Sequence, residues 1–409
     1  MKKIVGIFNI KKISLFITVL LTLYLFFIAK RGGDTKHIFS ILLMLTIAFQ
    51  MVITKENKIK KYKYLYLAGI GYMICVSLSY LKTENQINKF PDFLNVVLYT
   101  TGFFLLSLNA KFEERVYKYF IPIVTIFSYD AIYRGIIELP LYFKGSGFRL
   151  TGGVGPTVYA AEIGIYVIIG IFGMIHYKKI KYKIFYLTYF LINILLMLGT
   201  QSRALLVFLP ITFIILIIIK KRKEGLLIFC GMLVVGLVAF NNIEKIPFIQ
   251  RLSSISGIEK IKSDARFIII KKGIEIEREI FPKNLGFYAY KEGELISSQE
   301  VIENNKVLEI DSGKGYVHFH NVVLELLITQ GFLSLIFYFV FNLLILKELL
   351  KKYLNSKKNK QENIIVSIAI ATYIYFTLLG FVEATFYFEK SSLLIYTILM
   401  IAFSENKVD

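Results

Sequence analysis

Residues 13–29 read ISLFITVLLTLYLFFIA, a run without a single charge. A helix needs roughly twenty apolar residues to cross about 30 Å of hydrocarbon, and this run is close to that length. Only a helix lets such a segment satisfy its own backbone hydrogen bonds in lipid. Lys2, Lys3, Lys11 and Lys12 precede it, which raises the rival reading of a signal peptide. The run is long for the apolar core of such a peptide, and no small-x-small cleavage site stands before Lys30 and Arg31. It reads as a first, retained helix.

Further apolar windows recur at 38–53, 64–80, 93–109, 118–139, 157–175, 184–199, 204–219, 225–240, 320–346, 363–382 and 391–404. The expected fold class is therefore all-α, a polytopic membrane protein of about twelve transmembrane helices with a large extracytoplasmic loop containing short helices. The fifth window is interrupted by Asp130, Arg134 and Pro140. Hydrophobic residues make up 56% of the 409, with a mean hydropathy of +0.61, more than a soluble domain of this length carries.

Net charge is +20. In a soluble protein that balance would suggest nucleic acid, but here Lys and Arg gather between apolar windows, as topology determinants and contacts for anionic lipid head groups do. No nucleic-acid partner is expected. The leader, 58–63, 111–118, 178–183, 220–223 and 347–360 are Lys/Arg-rich, while the alternate connections hold far fewer. That alternation predicts an even helix number with both termini cytoplasmic. Three regions follow: helices 1–9 in residues 1–240, the extracytoplasmic loop in 241–319, and helices 10–12 in 320–409. Within the loop, Ala265 to Ile280 reads as an amphipathic helix with Asp264 as a cap.

Few side chains can carry chemistry. Cys75 and Cys230 each fall alone in an apolar window and make neither a disulfide framework nor a metal site. His37 and His176 border loops on opposite sides and read as surface residues. His318 and His320 stand where the loop meets the tenth window, in Gly315-Tyr-Val-His-Phe-His-Asn321. An imidazole there can take a proton from a hydroxyl, or simply rest at the interface beside Tyr316 and Phe319. Asp130 and Arg134, four apart, can neutralise each other on one helix face. Glu162 and Glu325 lie in apolar helices, where each would orient a substrate or His320, or make an interhelical hydrogen bond. Outer-loop Asp-x-Asp, paired Cys/His ligands and a Gly-x-x-x-x-Gly-Lys loop are all absent from the sequence. No metal and no cofactor are expected.

Arg149, Arg203, Arg251 and Arg266 all fall on the extracytoplasmic side, where arginine is uncommon. A guanidinium binds phosphate oxygens in planar, bidentate fashion and stays charged near a bilayer; anchoring to lipid head groups or local ion pairing is the plainer alternative.

His320-Asn321 is followed by nine residues and then Gly331-Phe-Leu-Ser334. This resembles the His-Asn, nine-residue spacer, Gly-x-x-Gly motif of the bacterial O-antigen ligase and polymerase superfamily, with Ser334 in place of the second glycine. Gly199-Thr-Gln-Ser-Arg-Ala-Leu-Leu206 resembles its Ser-Arg-Gly-Ala turn, with Ala204 replacing glycine. Phe148-Arg-Leu-Thr-Gly-Gly-Val-Gly-Pro156 resembles its Arg-x-x-Gly-x-x-x-x-Pro segment, and Ser263-Asp-Ala-Arg266 with Leu285-Gly286 its loop opening. The resemblance runs from about Phe148 to the end of the tenth helix.

The resemblance implies a metal-independent glycosyltransferase of the bacterial inner membrane with an extracytoplasmic active site. It would move a glycan from undecaprenyl pyrophosphate to an acceptor hydroxyl, either another lipid-linked glycan or a lipid A–core, as in capsular or lipopolysaccharide assembly. His320 would be the base, Arg203 and Arg266 the pyrophosphate clamp with Arg149 a further member, and Asn321 and Glu325 supporting residues. Membrane lipids and a chain-length regulator are the implied partners. Two rivals stay open: a lipid-linked glycan flippase, which needs no catalytic histidine, and a peptidoglycan-type polymerase, in which Asp264 would carry the chemistry.

Overall fold

The computed structural model describes residues 10–29, 35–54, 58–83, 86–144, 148–202, 208–214, 265–287, 319–355, 360–383, 385 and 388–404. Every regular element among them is a helix. In chain order these are α1 (Ile10–Ala29), α2 (Thr35–Thr54), α3 (Lys63–Leu81), α4 (Gln86–Leu94), a π-helix (Asn95–Gly102) and α5 (Phe103–Ser107). Then come α6 (Glu114–Phe127), α7 (Tyr129–Phe143), α8 (Pro156–His176) and α9 (Ile180–Gly199). After a gap follow α10 (Ala265–Ile280), α11 (Val322–Gln330), α12 (Phe332–Asn355), α13 (Lys360–Gly380) and α14 (Glu389–Phe403).

Seven helices among the described residues are long and apolar enough to cross a membrane: Thr35–Thr54, Lys63–Leu81, Gln86–Ser107, Glu114–Phe143, Pro156–His176, Ile180–Gly199 and Phe332–Asn355. Each overlaps one of the twelve predicted windows. α1, α13 and α14 overlap three more. The windows at 204–219 and 225–240 lie outside the described residues, apart from a helical stretch at 208–214.

The bundle is organised around α8, which is buried along nearly its whole length. Its glycines leave room for aromatic rings: a Cβ on Gly164 would strike the Tyr375 ring of α13, and one on Gly173 the Tyr186 ring of α9. Without a hydrophobic drive between helices in lipid, such close approach supplies the packing. α1 pairs with α2, α3 with α12, and α13 lies between α8 and α14.

Two windows are not the single helices expected. The window 320–346 is broken at Gly331, which takes φ 89° and ψ 167° and separates α11 from α12. Only glycine adopts that backbone readily, and a Cβ there would also press on Asn284. The window 118–139 is broken at Ser128, between α6 and α7, while Pro140 sits inside α7 without ending it. α10 has the bounds read from the sequence; its expected cap, Asp264, lies outside the described residues.

Candidate active site

The His-Asn turn is built by local hydrogen bonding. Asn321 is the N-cap of α11, its Oδ1 accepting from the Leu324 amide at 3.1 Å. Its Nδ2 donates to the Phe381 carbonyl at 2.8 Å, clipping the turn to the end of α13. Glu325, 1% exposed, accepts from the Phe319 amide at 3.0 Å. It thus holds the backbone beside His320. Caps of this kind fix the orphan amides of a helix start and the path of the chain leading into it.

Held at both sides, His320 adopts φ 49°. A left-handed backbone is uncommon outside glycine, and here the neighbouring bonds impose it. Its Nδ1 lies 2.8 Å from Glu383 Oε2; the imidazole is 19% exposed and the carboxylate 2%. An ionised carboxylate can only accept, so with Glu383 in that form the shared proton sits on Nδ1. Glu383 is the residue that the sequence reading missed. The available signal was an acid just past the end of an apolar window, on the same predicted side as His320.

Helix α10 packs on this turn. A Cβ on Gly273 would come 2.7 Å from the Phe319 ring, so the glycine lets α10 seat against the residue next to His320. The Leu285-Gly286 pair follows: Leu285 N donates to Ile328 O of α11 at 2.9 Å, and Gly286, at φ 103°, lies against Thr83 at the end of α3. Arg266 occupies the first turn of α10, two turns before Gly273 in helical register. Ser334, the departure from the second glycine, is fully buried and donates to Gln330 Oε1 at 2.8 Å.

A second pair of motif turns meets close by. Arg149 Nε donates to the Thr200 carbonyl at 2.9 Å, Leu150 N to Gly199 O at 2.9 Å, and Gln201 Nε2 reaches Phe148 O at 3.4 Å. Glu138 of α7 holds the same turn, accepting from Thr151 N, Thr151 Oγ1 and Gly152 N at 2.6, 2.9 and 3.0 Å. The Arg149 segment therefore abuts the turn that leads directly into Arg203. Arg203 itself, Arg251, Asp264 and His318 lie outside the described residues.

One apolar cluster joins the two halves of the site. Ala161, Leu379 and Phe388 are buried together, with Val158, Phe208 and Val382 packed on them. Val158 follows the Arg149 turn, Phe208 the Arg203 turn, and Val382 precedes Glu383.

The other charged residues resolve differently. Glu162 accepts from Lys390 Nζ at 2.6 Å and Tyr166 Oη at 3.0 Å, so it makes an interhelical ion pair. Arg134 and Asp130 pair at 2.9 Å on α7. His37, read as a surface residue, instead bonds Glu389 through Nε2 at 2.8 Å and stacks on Tyr99 with centroids 4.2 Å apart.

No curated protein matches the chain. Residues 188–339, which contain both the Gly199–Leu206 turn and the His320–Ser334 motif, match the family model described as O-antigen ligase, and this match supports placing the chain in the O-antigen ligase/polymerase superfamily.

Proposed function

We propose that the chain transfers a glycan from an undecaprenyl-pyrophosphate donor to an acceptor hydroxyl at the extracytoplasmic face of the inner membrane. The observation that carries this reading is the 2.8 Å bond that joins His320 Nδ1, inside the matched residues 188–339, to Glu383, which lies beyond them. Glu383 sets the tautomer in which Nε2 accepts the hydroxyl proton, and its negative charge stabilises the imidazolium that results. The acceptor oxygen then attacks the anomeric carbon with inversion. The bond to the pyrophosphate oxygen breaks, and undecaprenyl pyrophosphate leaves with the electron pair. Arg203 and Arg266, with Arg149, bind the pyrophosphate and neutralise the charge it gains. A leaving group held by guanidinium groups needs no metal ion in this scheme. The acceptor is a second lipid-linked glycan or a lipid A–core, and a chain-length regulator is a partner in the first case.

The test is transfer by purified protein in liposomes supplied with labelled donor and acceptor. His320→Ala is expected to lower the rate by roughly 10²–10⁴-fold, the usual contribution of a general base. Intact transfer by that variant would remove His320 from the reaction. A wild-type protein that only moves donor across the bilayer would make the chain a transporter, and a dispensable His320 with an indispensable Asp264 would favour peptidoglycan-type chemistry.

A further inference from the structure

We infer that Glu389 is a positioning residue for His320, acting through the short connector between α13 and α14; the inference rests on the role given to His320 above. The connector begins with Phe381, whose carbonyl accepts from Asn321, and with Glu383, which holds the His320 ring. Its described backbone is then fixed step by step. Thr385 N donates to Glu383 O, Phe388 N to Thr385 O, and Ser392 N to Phe388 O, each at 2.9 Å. Ser392 Oγ also reaches Thr385 O at 3.3 Å.

Glu389 follows Phe388 directly and uses both carboxylate oxygens on α2. Oε2 accepts from Lys36 Nζ at 2.7 Å, and Oε1 from His37 Nε2 at 2.8 Å. Two bonds to one planar group prevent it from turning, as one bond does not. The His37 ring is itself held by stacking on Tyr99 of the π-helix. The far end of the connector is therefore anchored to α2 and, through His37, to the π-helix. Because Phe388 is buried in the cluster beneath the site, a shift at Glu389 is transmitted to Thr385 and Glu383 before it can dissipate in solvent. The covalent path from Glu389 to Glu383, the His320 partner, is only six residues long.

The chain has only four histidines, so labelling their ring nitrogens makes His320 assignable by magnetic resonance. Purified full-length protein, wild type and Glu389→Gln, is compared by liposome transfer and by the ¹⁵N signature of His320. The variant is expected to lower kcat by about tenfold while leaving KM for the donor within about twofold, since a displacement near 1 Å can cost up to about 10² in rate. In the same sample the single Nδ1-protonated signature should give way to a mixture of tautomers. Retention of the wild-type His320 signature overturns the inference, as does a fall only in the yield of folded protein with kcat unchanged. Should Glu389→Gln fail to fold, Lys36→Met leaves one of the two bonds and should produce the same changes at about threefold in kcat. The ring signature reports on the connector whether or not His320 is the base. A catalytically dispensable His320 whose tautomer still responds to Glu389 would thus sink the function proposed above and leave the connector's positioning role standing.

Discussion

Two acid–base pairs stand near one another and teach different things. Lys390–Glu162 joins two packed helices at 2.6 Å, with side chains 12% and 1% exposed. His320–Glu383 joins a helix start to a connector at 2.8 Å, with side chains 19% and 2% exposed. In each, a carboxylate is sealed from solvent by a cationic or protonatable partner. The difference lies in the partner. A lysine side chain has donors only, so toward Glu162 it can serve as a cation and hydrogen-bond donor. An imidazole bonded through Nδ1 has a second ring nitrogen on its opposite edge, the one to which the proposed function assigns the acceptor's proton. The first arrangement can hold helices together; the second has the geometry that the proposed proton transfer requires.

The largest effect expected from this contrast is at Glu383. In Glu383→Gln the amide keeps the size of the side chain but offers a donor as readily as an acceptor, so the wrong tautomer of His320 is stabilised. Transfer should fall by roughly 10²–10⁴-fold, with donor KM little changed, because loss of the orienting carboxylate acts on the base in the transition state. A rate within threefold of wild type would make the two pairs equivalent and Glu383 merely structural.

The contrast also marks what could be read without coordinates. Long apolar windows, basic connections and the His-Asn spacing are local patterns, and all of them are present in one stretch of chain. The expectation for α10 matched for the same reason: its period and ends are written in sixteen consecutive residues. Glu383 is 63 positions from His320, and nothing in Gly380–Glu383 specifies a partner. Gly331 was legible as a small residue in a motif, but an apolar run with one glycine fits a continuous helix as well as a broken one. Glu325 was read as orienting a substrate or His320 or as making an interhelical hydrogen bond; it accepts from the Phe319 amide, because an acid four positions after an N-cap can fold back to the chain that enters the helix. Arg203 and Arg251 lie beyond the described residues, and Arg149 donates to the Thr200 carbonyl.

A sealed ion pair should behave unlike a working one when both members are replaced. Glu162→Gln removes the negative charge facing the largely buried Lys390 ammonium and should cost up to about 3–5 kcal/mol, read as a fall in melting temperature in detergent. The double change Glu162→Leu with Lys390→Met should recover most of that loss, since a buried pair can often be exchanged for apolar side chains of similar volume. The corresponding double change at His320 and Glu383 should leave transfer abolished whatever it does to melting. If instead the Glu162 double variant stays as unstable as the single one, the pair contributes through its geometry and not only by cancelling charge.

A smaller effect is expected at Asn321. Asn321→Ala removes both the cap of α11 and the clip to Phe381, and should lower stability by about 1–2 kcal/mol. Asn321→Ser restores an oxygen for the Leu324 amide but cannot reach Phe381, so thermal melting should recover by about half while transfer stays reduced. Full recovery of both would show that the clip adds nothing to the placement of Glu383.

The smallest effect belongs to a third pair, Asp130–Arg134, whose side chains are 13% and 44% exposed. The helix pair Glu114–Phe143 spans 30 residues, or about 45 Å of helix at 1.5 Å per residue, against about 30 Å of hydrocarbon. Arg134 lies twenty residues from its start, at most about 30 Å along the chain of two helices. On the expected topology, a helix pair that begins at the cytoplasmic boundary would deliver this arginine near the opposite head-group level, where water would screen it. Asp130→Asn should then cost only about 0.3–0.5 kcal/mol, as an exposed i, i+4 pair does. A cost of about 2.5 kcal/mol or more would put the unpaired guanidinium in hydrocarbon. That outcome would slide α6 and α7 along the membrane normal, and with them the Glu138-held turn that carries Arg149 toward the site.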